Sequence, residues 1–126
     1  MRLDGSTACM AIDGATDREV FETYVRQVLG PILRPGDIVV MDNLSPHKSQ
    51  QSLSLITQAG ALALFLPAYS PDLNPIEMMW SKVKNTLRSL EARTQGSLIA
   101  AIGQALAGIT RQDIINWFGH CGYSII

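Results

Sequence analysis

The sequence predicts an α/β fold with a mainly parallel sheet flanked by helices. Two short apolar runs, Ile38 to Met41 and Leu62 to Leu66, are bounded by turn residues, as expected for buried parallel strands. Amphipathic helical patterns lie before, between and after these runs, which is the alternation typical of α/β proteins. The 126 residues, 47% of them apolar, suit a single core, so we assign residues 1–126 to one domain.

The N-terminal residues predict an antiparallel hairpin at the edge of the sheet. Asp4-Gly5 is a strong signal for a tight turn, because both residue types tolerate positive φ. Ser6 to Ile12 is predicted as the second arm, whereas only three residues precede the turn. A hairpin with one short arm indicates that the chain begins inside an element. Thr16 then starts a predicted capping box, followed by apolar residues at helical spacing.

Four further helices are indicated between and after the two strands. One lies between the apolar runs, and a longer one begins at Pro75 with Asn74 as its N-cap. Two C-terminal helices are predicted from Ser97 to about Gly108 and from Arg111 to about Phe118. The apolar stripe of the long helix is predicted to be buried and consists of Ile76, Met79, Trp80, Val83, Leu87 and Leu90.

The charge and cysteine content exclude several classes of protein. The net charge is −1, so no overall basic field indicates a nucleic-acid partner, although residues 43–126 hold six Lys/Arg against four Asp/Glu. Cys9 and Cys121 are far apart and predict free, partly buried thiols in a reducing cytosol. No apolar stretch is long enough to span a membrane, so we expect a cytoplasmic protein without a membrane partner.

Asp42 directly follows the first predicted strand and is the first candidate metal ligand. In open α/β sheets, ligand sites form beyond the carboxyl ends of the strands. Asp42-Asn43 is equally well explained as ordinary turn chemistry, since both residue types favour turns. Position and residue type alone therefore leave Asp42 open between a functional and a structural role.

Glu77 is the second candidate carboxylate, and thirty-four residues separate it from Asp42. It is the third residue of the predicted long helix, where a Glu side chain completes a capping box with the N-cap residue. A carboxylate in the first turn also suits the helix dipole. Taken alone, the position of Glu77 favours capping over a metal role.

Cations accompany both carboxylates. The border of the apolar stripe on the long helix carries one carboxylate followed by polar and cationic side chains: Glu77, Ser81, Lys84 and Arg88. Such a face can hold a metal ion and guide a phosphate backbone, and an ordinary solvated face is the alternative. His47 and Lys48 follow Asp42 closely, either as phosphate contacts or as an exposed loop pair.

Two longer strings carry a specific resemblance: Met41-Asp-Asn-Leu-Ser-Pro-His-Lys48 and Leu66-Pro-Ala-Tyr-Ser-Pro-Asp-Leu-Asn-Pro-Ile-Glu77. With their fixed spacing, they resemble the DDE domain of insertion-sequence transposases in the mariner superfamily. The downstream Trp80-Ser-Lys-Val-Lys84 fits the same family, as do Trp117-Phe118 and Gly122-Tyr123. The resemblance extends over nearly all of the chain.

The resemblance implies a ribonuclease-H-like fold, a mixed sheet flanked by helices, that cuts and joins DNA. It makes Asp42 and Glu77 the second and third of three catalytic carboxylates, which together hold two divalent ions, Mg²⁺ or Mn²⁺. Hard oxygen ligands suit Mg²⁺, and the reaction needs no covalent protein nucleophile. The implied candidates for DNA binding are Asn43, His47, Lys48, Lys84 and Arg88.

We find no counterpart of the family's first catalytic aspartate or of its N-terminal helix-turn-helix region. Asp4 and Asp13 fall in or beyond the hairpin rather than on a central strand, so neither takes that role. We therefore expect the C-terminal part of a transposase, lacking the first strand and inactive alone. Its expected partners are transposon-end and target DNA, an upstream transposase segment and a second copy of the chain. Two alternatives stay open: a non-catalytic DNA-binding fragment, and a ribonuclease-H-like nuclease with another substrate.

Overall fold

The computed structural model describes residues 1–4, 6–10, 12 and 14–123. The chain forms two compact units: the first is Ala8–Pro71, and the second joins Met1–Thr7 to the chain from Asp72 onward. Within the described residues, the regular elements are two β-strands and five α-helices, together with shorter helical turns. The predicted α/β class is therefore confirmed.

The N-terminal segment does not form the predicted antiparallel arm in its described residues. Residues 6–10 and 12 lie in no strand, and the Arg2 N–H donates to the Ser6 carbonyl at 2.9 Å. Asp4 Oδ1 accepts from the Ser6 N–H at 2.8 Å and from its hydroxyl at 2.7 Å. Such local side-chain bonds compete with strand pairing. The predicted turn and strand also rest on residues outside the described ones: Gly5, Ala11 and Asp13.

Helix α1 (Arg18–Tyr24) has Asp17 as its N-cap rather than the predicted Thr16. The Asp17 carboxylate accepts from the Val20 N–H at 2.9 Å, and its charge suits the positive end of the helix. The helix runs on into a π-helical turn at Val25–Leu29 and a 3-10 turn at Gly30–Ile32. Apolar spacing predicted the helix but not these irregular turns, which differ from the α-helix in their hydrogen-bond pattern.

The first unit contains a parallel pair of strands, β1 (Ile38–Met41) and β2 (Leu62–Phe65). A 3-10 turn at Ser45–Lys48 and helix α2 (Gln50–Gln58) connect them. The register pairs Ile38 with Leu62 and Met41 with Phe65, so both strands end at the same edge. Both predicted strands are confirmed to within one residue.

Only one face of this strand pair is covered in the described structure. Residues paired in register share a face, because side chains alternate along each strand. On the uncovered face, Ile38, Leu62 and Leu64 are 60%, 62% and 49% exposed. The expectation of strands buried on both faces is therefore wrong for the described residues. The covered face packs into the core of the unit, which includes Phe21, Val25, Val39, Met41, Ile56, Ala63 and Phe65.

The second unit is built on α3 (Pro75–Leu90), α4 (Gln95–Ala107) and α5 (Arg111–His120), and α3 packs against both other helices. Thr94 and Thr110 begin α4 and α5 with capping boxes. The predicted bounds of these helices are confirmed to within two residues. The buried side chains of the three helices are Pro75, Met79, Val83, Ala101, Ala105 and Ile114.

The stripe predicted to be buried on α3 is only partly so. Met79 and Val83 are buried, whereas Trp80 and Leu90 are 38% and 37% exposed. Trp80 directly follows Met79 and is rotated away from the centre of the helix–helix contact, because successive helical residues point about 100° apart. The prediction of Trp80 as a core residue is therefore wrong.

The two thiols are free, as predicted, but they differ in environment. Cys9 is exposed, whereas Cys121 is buried, and burial raises the pKa of the Cys121 thiol. Among the described residues, no helix combines the length and apolar character that crossing a bilayer requires.

Lys82 of α3 forms an ion pair with Asp113 of α5, and its ammonium also donates to the Gly108 carbonyl at 3.2 Å. The hydrogen bond from Lys82 holds the pKa of Asp113 below its ordinary value of 3.8, and a bond from the Thr110 N–H acts in the same direction. A carboxylate whose pKa is lower in the folded than in the unfolded protein stabilises the fold at pH values above its unfolded pKa. This stabilisation is lost as the pH falls through the pKa of the folded protein.

We expect Asp113→Asn to lower the free energy of unfolding by up to about 1 kcal/mol near neutral pH, because the ion pair is partly exposed. The amide can still accept from Thr110, so the capping box is kept. Urea unfolding of both proteins should show this difference shrinking from about pH 6 to about pH 2. A difference that stays constant across this range would contradict the assignment.

Candidate functional site

A cleft opens at the shared edge where β1 and β2 end. It is bounded on one side by the residues that follow β1 and on the other by the loop that follows β2. Its volume is about 330 Å³. This is the place where open α/β sheets bind ligands. The strand-edge cleft is lined by Asp42, Asn43, Leu44, Leu66, Pro67, Ala68, Tyr69, Ser70 and Pro71.

Asp42 is placed in this cleft by the last hydrogen bonds of the strand pair. The Leu66 N–H donates to the Met41 carbonyl at 2.8 Å, which fixes the backbone immediately before Asp42. Asp42 is half-buried, and Asn43 beside it is exposed. The predicted candidate carboxylate therefore lies at a cleft rather than on an open turn.

His47 closes the loop that begins at Asp42. Its Nδ1 lies 3.2 Å from the Asp42 carbonyl oxygen, and the tautomer with a proton on Nδ1 donates to it. The imidazole also packs on Phe21, with ring centroids 4.6 Å apart. These contacts give His47 a role in holding the loop, beside the phosphate contact that the sequence predicted for it.

Lys48 lies at the same edge of the sheet. Its exposed ammonium is 5.9 Å from the ring centroid of Phe65, the last residue of β2. A cation at this distance interacts favourably with an aromatic face. The contact holds a positive charge near the carboxyl ends of the strands, where a phosphate oxygen could reach it.

A partly buried polar network anchors the end of this loop to α1. The Ser49 hydroxyl donates to Glu22 Oε1 at 2.6 Å and accepts from the Ser52 N–H at 3.1 Å, so Ser49 also caps α2. The Gln51 amide, oriented to satisfy both partners, donates to Glu22 Oε2 at 3.2 Å and accepts from Arg26 at 2.7 Å. Ser49 and Ser52 are buried, so the network resists displacement by water.

Glu77 lies in the first turn of α3, which begins at Pro75 as predicted. The predicted capping box is wrong, because the Asn74 side chain makes no capping hydrogen bond to this turn. The Asn74 backbone carbonyl instead accepts from the Glu77 N–H at 3.1 Å. Glu77 is exposed, and within the described residues its carboxylate forms no hydrogen bond or ion pair. The carboxylate is therefore available to a ligand.

The polar face of α3 is confirmed as exposed. Lys84 and Arg88 are exposed together with Glu77 and Ser81, and Arg88 Nη1 donates to Asn85 Oδ1 at 3.3 Å. Lys84 makes no hydrogen bond or ion pair within the described residues. One helix face thus carries a carboxylate at its start and two cations further along.

The turn that leads into α3 is held by a residue from the far end of the chain. The Tyr123 hydroxyl donates to the Leu73 carbonyl at 2.7 Å, directly before Asn74. Tyr123 packs edge-on against Phe118, with ring centroids 5.8 Å apart, and Gly122 turns the chain with φ of 89°. Burial raises the pKa of the Tyr123 hydroxyl. Tyr123 therefore helps to fix the start of the helix that carries Glu77.

We expect Tyr123→Phe to lower the free energy of unfolding by about 1 kcal/mol, because the Leu73 carbonyl loses its donor. Tyr69→Phe is the matched control, since the Tyr69 hydroxyl makes no hydrogen bond within the described residues. Thermal or urea unfolding measures both variants. Equal stabilities of the two variants would show that the Tyr123 bond contributes nothing.

The predicted site residues fall into two groups that belong to different units. In the first unit, Asp42 and Asn43 line the strand-edge cleft, and His47 and Lys48 follow in the next turn. In the second unit, Glu77, Lys84 and Arg88 share one face of α3.

The donor set of these residues suits a hard divalent cation. Asp42 and Glu77 offer carboxylate oxygens, which Mg²⁺ prefers over nitrogen or sulfur ligands. Among the described residues, no cluster of three or more His, Cys, Asp or Glu is arranged to hold a metal ion. The fit therefore rests on the chemistry of the two carboxylates rather than on a preformed cluster.

Three contributors to the site were missed by sequence reasoning. Ser49 and Tyr123 act through contacts with residues far away in the sequence, which no local pattern reveals. Tyr69 was visible as an aromatic residue between two prolines, but only its backbone conformation and exposure distinguish it from a core residue.

Comparison with known proteins identifies the family. The family model described as DDE superfamily endonuclease matches residues 1–99. The Transposable element Tcb1 transposase of Caenorhabditis briggsae is 28% identical over 102 residues, which is 78% of this chain and 37% of that protein. The Tcb2 transposase of the same organism is 31% identical over 85 residues, which is 64% of this chain and 31% of that protein. The chain thus spans about a third of the length of these relatives, and the resemblance to DDE transposases is confirmed.

Proposed function

Because the chain belongs to the DDE superfamily of endonucleases, we propose that it is the C-terminal segment of a transposase catalytic domain. In this proposal, residues 1–126 are part of one ribonuclease-H-like domain with a mixed sheet, whose first strand is supplied by another segment. The substrate is DNA, which the complete protein cuts at transposon ends and joins to a target. The observation that supports this most strongly is the Asp42 carboxylate in the strand-edge cleft.

Asp42 and Glu77 are the residues that would hold the metal ions. Both are hard oxygen donors, and Glu77 has no hydrogen bond or ion pair to give up within the described residues. When bound, a pair of Mg²⁺ or Mn²⁺ ions activates the attacking oxygen and stabilises the leaving one in an in-line displacement. The two carboxylates would bind and orient the metal ions, and the reaction requires no nucleophile from the chain itself.

The exposed cations are the proposed DNA contacts. Lys84 and Arg88 follow Glu77 along one face of α3, and Lys48 lies near the carboxyl ends of the strands. Lys and Arg side chains bind phosphates with little regard to sequence, and salt weakens this binding. Asn43 and His47 are proposed to assist at the cleft, where His47 also holds the loop.

The uncovered sheet face supports an upstream segment as a partner. Ile38, Leu62 and Leu64 present apolar side chains that a two-stranded pair leaves in solvent. An isolated pair of strands is marginally stable, and further strands are the usual remedy. We propose that the upstream segment covers this face, adds strands along the edge of the sheet and contributes the first carboxylate, so that the isolated chain has little or no activity.

The experiment that tests this function joins the chain to the region encoded directly upstream of Met1. We expect Mg²⁺-dependent cleavage of element-end DNA by the joined protein, little or none by the chain alone, and none by the joined protein with Asp42→Asn. Cleavage that survives Asp42→Asn would contradict the assigned site. Robust cleavage by the chain alone would contradict the proposal that the chain needs another segment to complete its catalytic site.

A second function, a non-catalytic DNA-binding fragment, is favoured by the exposed cations Lys84 and Arg88 of α3. It predicts a salt-dependent DNA affinity that survives the double substitution Asp42→Ala and Glu77→Ala, in a joined protein that never cleaves. Loss of DNA affinity in Lys84→Ala and in Arg88→Ala would map the DNA contacts under both the catalytic and the non-catalytic function.

A further inference from the structure

Tyr69 is an unusual residue within the strand-edge cleft. Its side chain is fully exposed, although tyrosine is usually at least partly buried. Its backbone is left-handed, with φ of 58°. Non-glycine residues seldom adopt this conformation, because it costs free energy. Within the described residues, its hydroxyl makes no hydrogen bond that would offset this cost.

The loop around Tyr69 is stiff. Pro67 and Pro71 stand two residues to either side, and each fixes its own φ and restricts the residue before it. The Ser70 hydroxyl donates to the Ala68 carbonyl at 3.3 Å and closes the bend beneath the tyrosine. The aromatic ring is therefore presented on a backbone that loses little freedom when a ligand binds.

Tyr69 also belongs to the cleft that contains the proposed metal ligand. Tyr69 and Asp42 line the same cleft, one from the loop after β2 and the other from the end of β1. Strained backbone is kept at functional sites when it places a side chain where a ligand needs it. Here the ligand of the cleft is DNA by the proposed function, and the face of a base is what an exposed aromatic ring binds in single strands.

We propose that Tyr69 is a stacking platform for an unpaired nucleobase of the DNA strand held at the cleft. This inference rests on the proposed function for the identity of its ligand, DNA. The stacking contact itself needs neither a metal ion nor Glu77. A base inside a duplex is already stacked on its neighbours, so the platform selects a frayed or single-stranded nucleotide. Tyr69 thereby fixes the sugar-phosphate backbone next to Asp42.

The test uses the chain and a short single-stranded oligonucleotide carrying aminopurine, a fluorescent base whose emission falls on stacking. The measurement is made in EDTA, so that no metal ion takes part. We expect quenching with wild type and with Tyr69→Phe, which keeps the ring. Tyr69→Ala should bind about tenfold more weakly and lose the quenching. Ile99→Ala, which removes an exposed apolar side chain from α4, should behave as wild type.

A second variant separates stacking from folding. Glycine adopts positive φ without strain, so Tyr69→Gly should be at least as stable as wild type and still lose the affinity. Equal affinity and quenching in wild type and Tyr69→Gly would overturn the inference. So would equal losses in Tyr69→Phe and Tyr69→Ala, or no affinity of the wild type for the strand.

The two proposals can fail separately. If cleavage by the joined protein depends on Asp42 but Tyr69→Ala binds the strand as wild type does, only the stacking platform is wrong. If quenching depends on Tyr69 but cleavage does not depend on Asp42, the proposed function is wrong and the aromatic contact stands.

Discussion

Asp42→Asn is expected to weaken Mn²⁺ binding to the chain by roughly a hundredfold or more, since replacing even a residue that only hydrogen-bonds to a metal ligand costs up to about that much. Asparagine keeps the size of the side chain and one oxygen but loses the charge that attracts the ion. Glu77→Gln should have a similar effect, because it also replaces a charged carboxylate by a neutral amide. Electron paramagnetic resonance of free Mn²⁺ measures both affinities.

The control for this prediction is Glu91→Gln, which removes one exposed negative charge directly after the other end of α3. It should leave Mn²⁺ affinity within a factor of about two, since exposed charges act weakly through solvent. If Asp42 and Glu77 hold the same ion, the double variant should lose little more than either single variant. Independent, additive losses would show two separate weak sites.

Ser49→Ala is expected to lower the free energy of unfolding by about 2–3 kcal/mol. The substitution removes the N-cap of α2, worth about 1 kcal/mol, and the hydrogen bond to the charged Glu22, worth about 1.5–3 kcal/mol, and coupled losses are not fully additive. Because Ser49 is buried, water does not readily replace the lost hydroxyl. Urea unfolding measures the change.

Thr94→Ala is the matched control for Ser49→Ala, because Thr94 caps α4 from an exposed position. It should cost only about 1 kcal/mol. Glu22→Gln, which can still accept from Ser49, should fall between the two. Equal losses in Ser49→Ala and Thr94→Ala would show that the buried bond to Glu22 contributes nothing beyond capping.

The strands and helices near the site were predictable because their signals are local. Ile38–Met41 and Leu62–Phe65 are apolar runs between turns, and Pro75 marks the start of α3 through its fixed φ. The polar face of α3 followed from helical spacing alone. These features depend only on residue type and short-range geometry, which the sequence contains in full.

Other predictions failed because they depended on what surrounds each element. Strand burial on both faces requires a covering layer, and in the described residues Leu62 and Leu64 have none. The capping box at Glu77 required the Asn74 side chain to turn toward the helix, and the backbone carbonyl makes that contact instead. The predicted antiparallel arm is not formed by the described residues 6–10 and 12, and Asp4 and Ser6 form local hydrogen bonds.

The candidate site likewise contains residues that the sequence predicted and residues that it did not. Residue type and spacing, read with the family resemblance, were enough to single out Asp42 and Glu77. The supports of the site were not predictable, since Tyr123 reaches Leu73 across fifty residues of sequence. The left-handed backbone of Tyr69 likewise has no sequence signal, because nothing but the folded loop requires it.

Iron-mediated cleavage of the polypeptide most directly tests the proposal that Asp42 and Glu77 are both metal ligands. Fe²⁺ with ascorbate and peroxide generates hydroxyl radicals at the bound ion, which cut the backbone nearby. We expect cuts near residue 42 and near residue 77, both suppressed by excess Mg²⁺, with the first lost in Asp42→Asn and the second lost in Glu77→Gln. Cuts near only one of the two positions, or cuts that persist after the carboxylate at that position is replaced, would contradict this proposal.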